Sequence, residues 1–395
     1  MADTFITSSM VLAEALDLFK NNLRFGNQVY REYSKEFTGT TKIGESFQIR
    51  NPWRFEVQDG PTINLTDTVD TTITMSITAH KVIPISILTR DKTMKVDEFK
   101  KRYLEDAMVK LANQVDSDLA GLYVDVGQAV GTAGTTPATF LTFGDAATKL
   151  DNMTCPMAGR QAVLNPAATY TMADALKGIF NPSMVEGYIK TGQLTNLVGV
   201  GMLGSSQNIK AHTAGTGASY AVDGANQVAA ANTDPKAGMN LLVKTGTGTL
   251  LKGDRLTIAG VNALNPVNYA STGQLQEFVV KADYAGGAGN VSIAPALVIS
   301  GPTRNVTGAA ADSAAITKTA SHIANLVFCE KAFALATVPF ELPETAPVKE
   351  QLSVDGIAMT LTGGWDVTNY REIYRLDILY GVKTLYPSWA VRVMG

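Results

Sequence analysis

Residues 96–126 read VDEFKKRYLEDAMVKLANQVDSDLAGLYVDV. Apolar side chains fall at Leu104, Met108, Leu111, Val115, Leu119, Leu122 and Val126, in the fours and threes of one buried helical stripe. Asp97 and Glu98 sit in the first turn, where negative charge suits the helix dipole. Gly127 comes next as a C-terminal stop. The spacing predicts one helix over Val96–Val126, roughly 46 Å long. Such a helix runs along the back of an extended body. A coiled-coil segment is the rival reading, and the lack of strict heptads disfavours it. Asp116, Ser117, Asp118 and Asp125 read as the solvated face.

On the N-terminal side, Ser8 or Ser9 caps a short helix through Leu18. A helix so short needs a packing partner, either the body or a neighbouring chain. Asn21–Thr38 reads as an extended or partly helical arm. Lys42–Asn51 alternates Ile43, Phe47 and Ile49 with polar residues, and Asp59-Gly60-Pro61 marks a break. The return strand alternates from Val69 to Ala79, with Ile73, Met75 and Ile77 on one face. A strand of about a dozen residues is twice the usual length, and a long two-stranded ribbon needs a partner surface. Pro84 is expected to end or kink it.

On the C-terminal side, a helix is expected over Phe143–Met153, capped near Gly144 or Asp145. A short buried strand comes after it at Gln161–Leu164. Asn165-Pro166 then opens a helix over Ala167–Leu176. Asn181–Gly204 is glycine-rich and reads as loosely structured, and Asn208–Ala211 as a strand. Composition shifts at about Thr213. From there to His322 lie fourteen of the 35 glycines, with seven basic and six acidic residues. Short apolar runs at Asn240–Lys244, Arg255–Ile258, Phe278–Lys281 and Val291–Ile293 suggest a small all-β barrel or sandwich. Further strands are expected at Leu326–Cys329, Gln351–Leu361, Tyr370–Tyr380 and Leu385–Val393, and Leu335–Val338 continues apolar. The β-rich segment therefore interrupts a domain whose strands lie on both sides of it. The fold class is α+β.

Composition narrows function. The 395 residues carry a net charge of -3, so no basic field exists to grip nucleic acid. Charged residues are only 17%, unlike a typical cytosolic enzyme. Cys155 and Cys329 form no CxxC pair. A reduced compartment fits, and spacing alone leaves a disulfide between them open. The N-terminus lacks a basic n-region and makes a poor signal peptide. No apolar run reaches the roughly 18 residues that span a bilayer, so no membrane partner is expected.

Chemistry is scarce. His80, His212 and His322 have no second ligand at metal-site spacing and read as surface or strand histidines. Gly199–Gly204 matches G-x-G-x-x-G, but Ser205–Lys210 leads on toward a strand and not a helix. The match reads as a flexible loop and not a dinucleotide site. Arg371, Glu372, Arg375 and Asp377 alternate with apolar residues as ion pairs between strands or subunits. No nucleophile and base stand out together. No catalytic residue, metal or cofactor is expected.

The order of these elements resembles the major capsid proteins of tailed bacteriophages, the Hong Kong 97 fold. The nearer likeness is to coat proteins of the Salmonella podovirus type, which carry an inserted domain. Three stretches carry the likeness: YREIYRLDILYGVKTLYPSWAVRV at Tyr370–Val393, NLVFCEKAFALATVP at Asn325–Pro339 and KGDRLTIAGVNALNP at Lys252–Pro266. The resemblance implies an arm (1–38), an extended loop with flanking strands (39–90) and a spine helix with peripheral domain (91–158). It also implies an axial domain (159–213), an inserted β-domain (214–322) and an axial and peripheral return (323–395). It implies self-assembly into hexamers and pentamers of a shell, with a scaffolding protein and a portal. The shell encloses double-stranded DNA without sequence-specific binding. The virion is the expected location, after assembly in the host bacterial cytoplasm. Inter-subunit contacts are expected at Trp53, Arg54, Phe55 and Asp59 on the loop. Others are expected at Asn232, Asp234 and Lys236 on the insert, and at Arg371, Glu372 and Arg375. An encapsulin-like compartment of the same fold is the alternative.

Overall fold

The computed structural model describes residues 8–35, 46–52, 54–57, 60–61, 71–88, 104–176, 194–197, 199–368 and 371–395. The chain forms two compact units. The first holds Met1–Ile49, Ile73–Leu119 and Phe333–Lys383, and the second holds Arg50–Thr72, Ala120–Ala332 and Thr384–Gly395.

In the first unit, helix α1 (Ser8–Asn22) buries Leu12, Ala15, Leu16 and Phe19, the i, i+3, i+4, i+7 stripe of an amphipathic helix. It runs one turn past the expected Leu18. Asn22 Nδ2 donates to Leu18 O at 2.7 Å, and Asn27 Nδ2 donates to Lys20 O at 2.8 Å, so side chains reach carbonyls of the last turns. The segment after it docks on its own unit. Phe25 lies 5.8 Å from the Phe333 ring, and Tyr30 bridges Ala334 in parallel.

Helix α2 (Glu105–Ala120) keeps the expected stripe: Met108, Leu111, Val115 and Leu119 are all buried. The predicted start at Val96 lies outside the described residues. The predicted end at Val126 is a correction. The last turn tightens to a 3-10 helix over Gly121–Asp125, so Gly127 is not the cap. A Cβ at Gly127 would instead press on Glu277 O at 3.1 Å, a tight contact.

The solvated face is also corrected. Asp116 is 1% exposed, and its carboxylate accepts from Arg24 N at 2.7 Å and Gly26 N at 2.9 Å. Burial outweighs these bonds and lifts its carboxyl above the ordinary pKa. Asp118 accepts from Tyr380 Oη at 2.5 Å. In the second unit, Asp125 accepts from Thr384 Oγ1 at 2.9 Å and Lys281 Nζ at 2.6 Å. Short acids on a stripe edge pair inward when donors meet them, which helical periodicity does not reveal.

The first unit's five-stranded sheet runs Phe333–Val338, Arg371–Thr384, Ile357–Asp366, Val348–Val354, with Ala79–Leu88 also pairing Arg371–Thr384. Three expectations fail here. Strand Ala79–Leu88 passes through Pro84, which sits opposite Arg375. The strand pairs on one side, where a missing N–H is tolerated. The strand expected to run unbroken to Ala79 stops at Ser76, its part before Thr71 lying outside the described residues. Strand Thr72–Ser76 pairs Ser46–Arg50 in a two-stranded ribbon. Gln351–Leu361 is two strands turning at Asp355 (φ 53) and Gly356 (φ 74).

In the second unit a seven-stranded sheet orders Ala129–Val130, Ala390–Met394, His322–Cys329, Arg160–Leu164, Val200–Ser205 and Leu194–Leu197. Ala211–His212 also pairs His322–Cys329. Helices α3 (Phe140–Asn152) and α4 (Pro166–Leu176) contribute Phe143, Leu150, Ala168 and Met172 to its core, with Ala162, Leu164, Val327, Val391 and Val393. Alternation along each strand puts these on one face. Helix α3 starts at Phe140 after Thr139, not near Gly144. Helix α4 opens at Pro166, and Asn165 Oδ1 caps it by accepting from Ala168 N at 2.8 Å. Gly199–Gly204 is corrected from a loop: Val200–Ser205 is a sheet strand beside Arg160–Leu164.

The chain leaves this sheet at Ala211–His212 and returns at His322–Ile323, directly opposite in antiparallel register. Between them lies a nearly closed six-stranded sheet, in the order Ile316–Lys318, Arg255–Leu264, Ser271–Val280, Gly289–Ala294, Met239–Lys244, Ala221–Val222. The two end strands meet through Val222 N to Ala314 O at 3.0 Å and Ile316 N to Tyr220 O at 2.9 Å. Leu241, Val243, Leu256, Ile258, Phe278 and Val291 fill the interior.

Candidate assembly surfaces

Asn51, at the end of Ser46–Arg50, is the pivot of a polar clasp. Its Nδ2 donates to Thr71 Oγ1 at 3.0 Å and Asp234 Oδ2 at 2.7 Å, and its Oδ1 accepts from Lys236 Nζ at 2.9 Å. Asp234 also caps the short 3-10 turn Pro235–Ala237, accepting from Lys236 N at 3.0 Å. Lys236 Nζ lies 4.1 Å over the Tyr386 ring, which stacks on Trp389 at 4.5 Å. Burial pulls the Lys236 ammonium down to about 8 against the pull of Asp234, and Arg54 adds to the fall. A few residues on, Glu56 accepts from Arg304 Nη1 at 2.6 Å, and that guanidinium covers Tyr269 at 3.6 Å. The extended segment is therefore fastened at Asn51 and Glu56. Between and beyond these points Phe55 is 78% exposed and Val57 is 95% exposed.

The residues expected at contacts fall into three groups. Arg54, Asp234 and Lys236 come together at the clasp, where Asp234 and Lys236 are engaged within the chain. Asn232, at φ 66, turns its Oδ1 inward at Gly301, where a Cβ would stand 2.5 Å away. Arg371, Glu372 and Arg375 lie in the first unit on one strand. Arg371 pairs Asp366 at 3.1 Å, Glu372 accepts from Tyr374 Oη at 2.6 Å, and Arg375 pairs Asp377 at 2.8 Å. Trp365, Val367 and Ile373 stand exposed around the tip of that hairpin. Trp53 and Asp59 lie outside the described residues. Asn51 and Tyr386 escaped the sequence reading; their only signal is a Pro after each.

The insert's base holds a buried polar knot. His212 Nε2 meets Asp254 Oδ1 at 2.8 Å and its Nδ1 meets Tyr123 Oη at 3.1 Å. Burial pushes the Asp254 carboxyl up, but His212 and the N–H groups of Leu251 and Gly215 hold it below its ordinary value. Arg392, fully buried, donates to Gly253 O at 3.0 Å and faces Tyr123 at 5.0 Å. Both His212 and His322 are 4% exposed, which corrects the surface reading while keeping the strand one. With no accessible nucleophile in it, the knot has the chemistry of a structural joint. Among the described residues no group of three His, Cys, Asp or Glu is placed to hold a metal.

The sequence model of one family, described as "P22 coat protein - gene protein 5", matches residues 1–395. The chain belongs to the P22 coat protein family. No curated protein matches it closely enough to count as a relative. A structure from Mycobacterium phage Che8 is 14% identical over 93% of this chain and 90% of its own, with a TM-score of 0.48. The virus-like particle from Pyrococcus furiosus is 9% identical over 96% of each chain, with a TM-score of 0.38. The CUS-3 coat protein I-domain is 31% identical over 25% of this chain and 94% of its own, with a TM-score of 0.19. This member of the family is a phage coat protein, a structural part of a capsid, and its place is the virion. Copies of it build a shell, so the surfaces that matter are those facing other copies. No described helix is long and apolar enough to cross a membrane.

Proposed function

We propose that this chain is the major capsid protein of a tailed phage. Hexamers and pentamers of it form an icosahedral shell around double-stranded DNA, with the Hong Kong 97 arrangement of arm, extended loop, spine and inserted domain. A scaffolding protein guides a procapsid, a portal occupies one vertex, and the shell expands on maturation. Membership of a coat protein family supports this. The carrying observation is the extended segment fastened at Asn51 and at Glu56, which presents Phe55 and Val57 to solvent. Covering each of these with a neighbouring copy contributes about 1.5–3 kcal/mol. Weak contacts repeated at every copy make a stable shell whose single steps reverse and correct errors. The net charge of -3 suits a container that does not grip its contents. Arg54, Asp234 and Lys236 then set the segment's direction. Arg371, Glu372 and Arg375 flank the hairpin that meets a further copy.

Expression with and without the scaffolding protein of the same phage tests the reading. Sedimentation of closed shells of uniform size only in the presence of scaffold supports it. Shells of one size without scaffold would remove the scaffold-assisted step.

A further inference from the structure

Two buried thiols, Cys155 and Cys329, lie apart from the surfaces described above. Cys155 lies in the turn after α3, with its N–H on Leu150 O at 2.9 Å. Cys329 ends strand His322–Cys329, paired with Arg160. Both are buried in one core cluster and both are free. Their sulfurs face one short turn: Cys155 Sγ lies 3.5 Å from Pro156 O and Cys329 Sγ lies 3.9 Å from Ala158 O. The two thiols are near enough to act on each other's ionisation. The cover is thin, because Pro156, Met157, Ala158 and Gly159 are all exposed.

The surroundings divide the labour. The interaction between the two thiols holds Cys329 below its ordinary pKa and, with burial, pushes Cys155 up. The N–H of Lys331 also favours a Cys329 thiolate. Arg160, 2% exposed, is fixed by Asp151 at 2.6 Å, Cys155 O at 2.6 Å and Pro156 O at 3.0 Å, and its charge favours thiolate at both sulfurs. A thiolate held by a cation beside a second thiol is the arrangement of an attacking and a resolving cysteine.

We propose that Cys155 and Cys329 are a disulfide-forming site, a buried dithiol that hydrogen peroxide oxidises to an intrachain bond. The Cys329 thiolate attacks one peroxide oxygen. The O–O bond breaks, and hydroxide leaves and takes up a proton as water. Cys329 is then a sulfenic acid. Cys155 gives up its proton and attacks the Cys329 sulfur. The S–S bond forms, the S–O bond breaks, and the hydroxyl leaves with that proton as a second water. In sum, two thiols and one peroxide give a disulfide and two waters, a two-electron oxidation. The bond closes a loop containing everything between His212 and His322, which restrains the unfolded chain and stabilises the folded one.

The test uses full-length protein treated with hydrogen peroxide, quenched, denatured and alkylated with N-ethylmaleimide. Intact mass and non-reducing peptide maps are then read. Loss of both alkylation sites together, a peptide joining Cys155 to Cys329 and a raised melting temperature reversed by dithiothreitol are expected. Cys155→Ser should carry Cys329 on to sulfinic acid, whereas Cys329→Ser should leave Cys155 alkylatable. The proposal is overturned if wild-type protein keeps two alkylatable thiols, if its Cys329 reaches sulfinic acid as fast as in Cys155→Ser, or if the disulfide joins different chains.

Discussion

His322 sits directly opposite His212 in antiparallel register, with the two rings 5.4 Å apart. One histidine closes the strand by which the chain leaves the seven-stranded sheet, and the other opens the strand by which it returns. The whole inserted barrel therefore hangs from one pair of adjacent residues. Asp254, Arg392 and Tyr123 complete the joint around them.

The joint makes stability depend on pH. Burial first, then the charges of Arg392 and His212, depress His322 from 6.5 to about 4, while its bond to Ala320 O opposes them. A depressed base binds its proton more weakly when folded, so the unfolded chain takes up more protons between those values. Stability is intact above 6.5 and falls as pH drops toward 4, by roughly 2–4 kcal/mol in all. Urea denaturation across that range should show the fall, and His322→Gln should flatten it.

Glu277 carries a buried charge network. Its carboxylate meets Lys149 Nζ at 2.5 Å, Arg255 Nη2 at 2.5 Å and Ala129 N at 2.8 Å. Removing it strands two nearly buried cations and one N–H. Glu277→Ala should cost about 3–5 kcal/mol, read as a lowered denaturation midpoint. Glu277→Gln keeps acceptor capacity and should cost less.

Gly246 is fixed by the Tyr220 ring, which a Cβ would meet at 1.8 Å. Tyr220 cannot retreat cheaply, because it is 4% exposed and its hydroxyl donates to Gly248 O at 2.6 Å. Gly246→Ala should destabilise the barrel by about 3 kcal/mol or more. Gly260, at φ 81 with open space around it, is the control. Gly260→Ala carries only the backbone strain of the left-handed region and should cost about 1–2 kcal/mol. Calorimetric melting separates the two.

Patterns of apolar residues were readable wherever one face of an element is buried. Met108, Leu111, Val115 and Leu119 marked the long helix. Leu241, Leu256, Phe278 and Val291 marked the barrel strands. What periodicity misses is where polar groups find partners. Asp116 reads as solvent-facing until Arg24 and Gly26 bring two N–H groups to it. Gly199–Gly204 reads as a loop because glycine weakens a strand's signal, although neighbours on both sides stabilise Val200–Ser205. Asp234 and Lys236 were legible as polar loop residues, but Asn51, far away in sequence, shows what they hold.

Extension of the Asn51–Val57 segment toward a neighbouring copy is tested most directly by electron microscopy of Phe55→Asp/Val57→Asp beside the parent chain, each produced with scaffolding protein. Both changes lie on exposed side chains outside the clasp, so melting temperature should stay within about 1–2 °C of the parent. The parent should form closed shells, and the double variant should remain as folded, unassembled subunits. Normal shells from the double variant, or only compact monomers from the parent chain, would contradict that role.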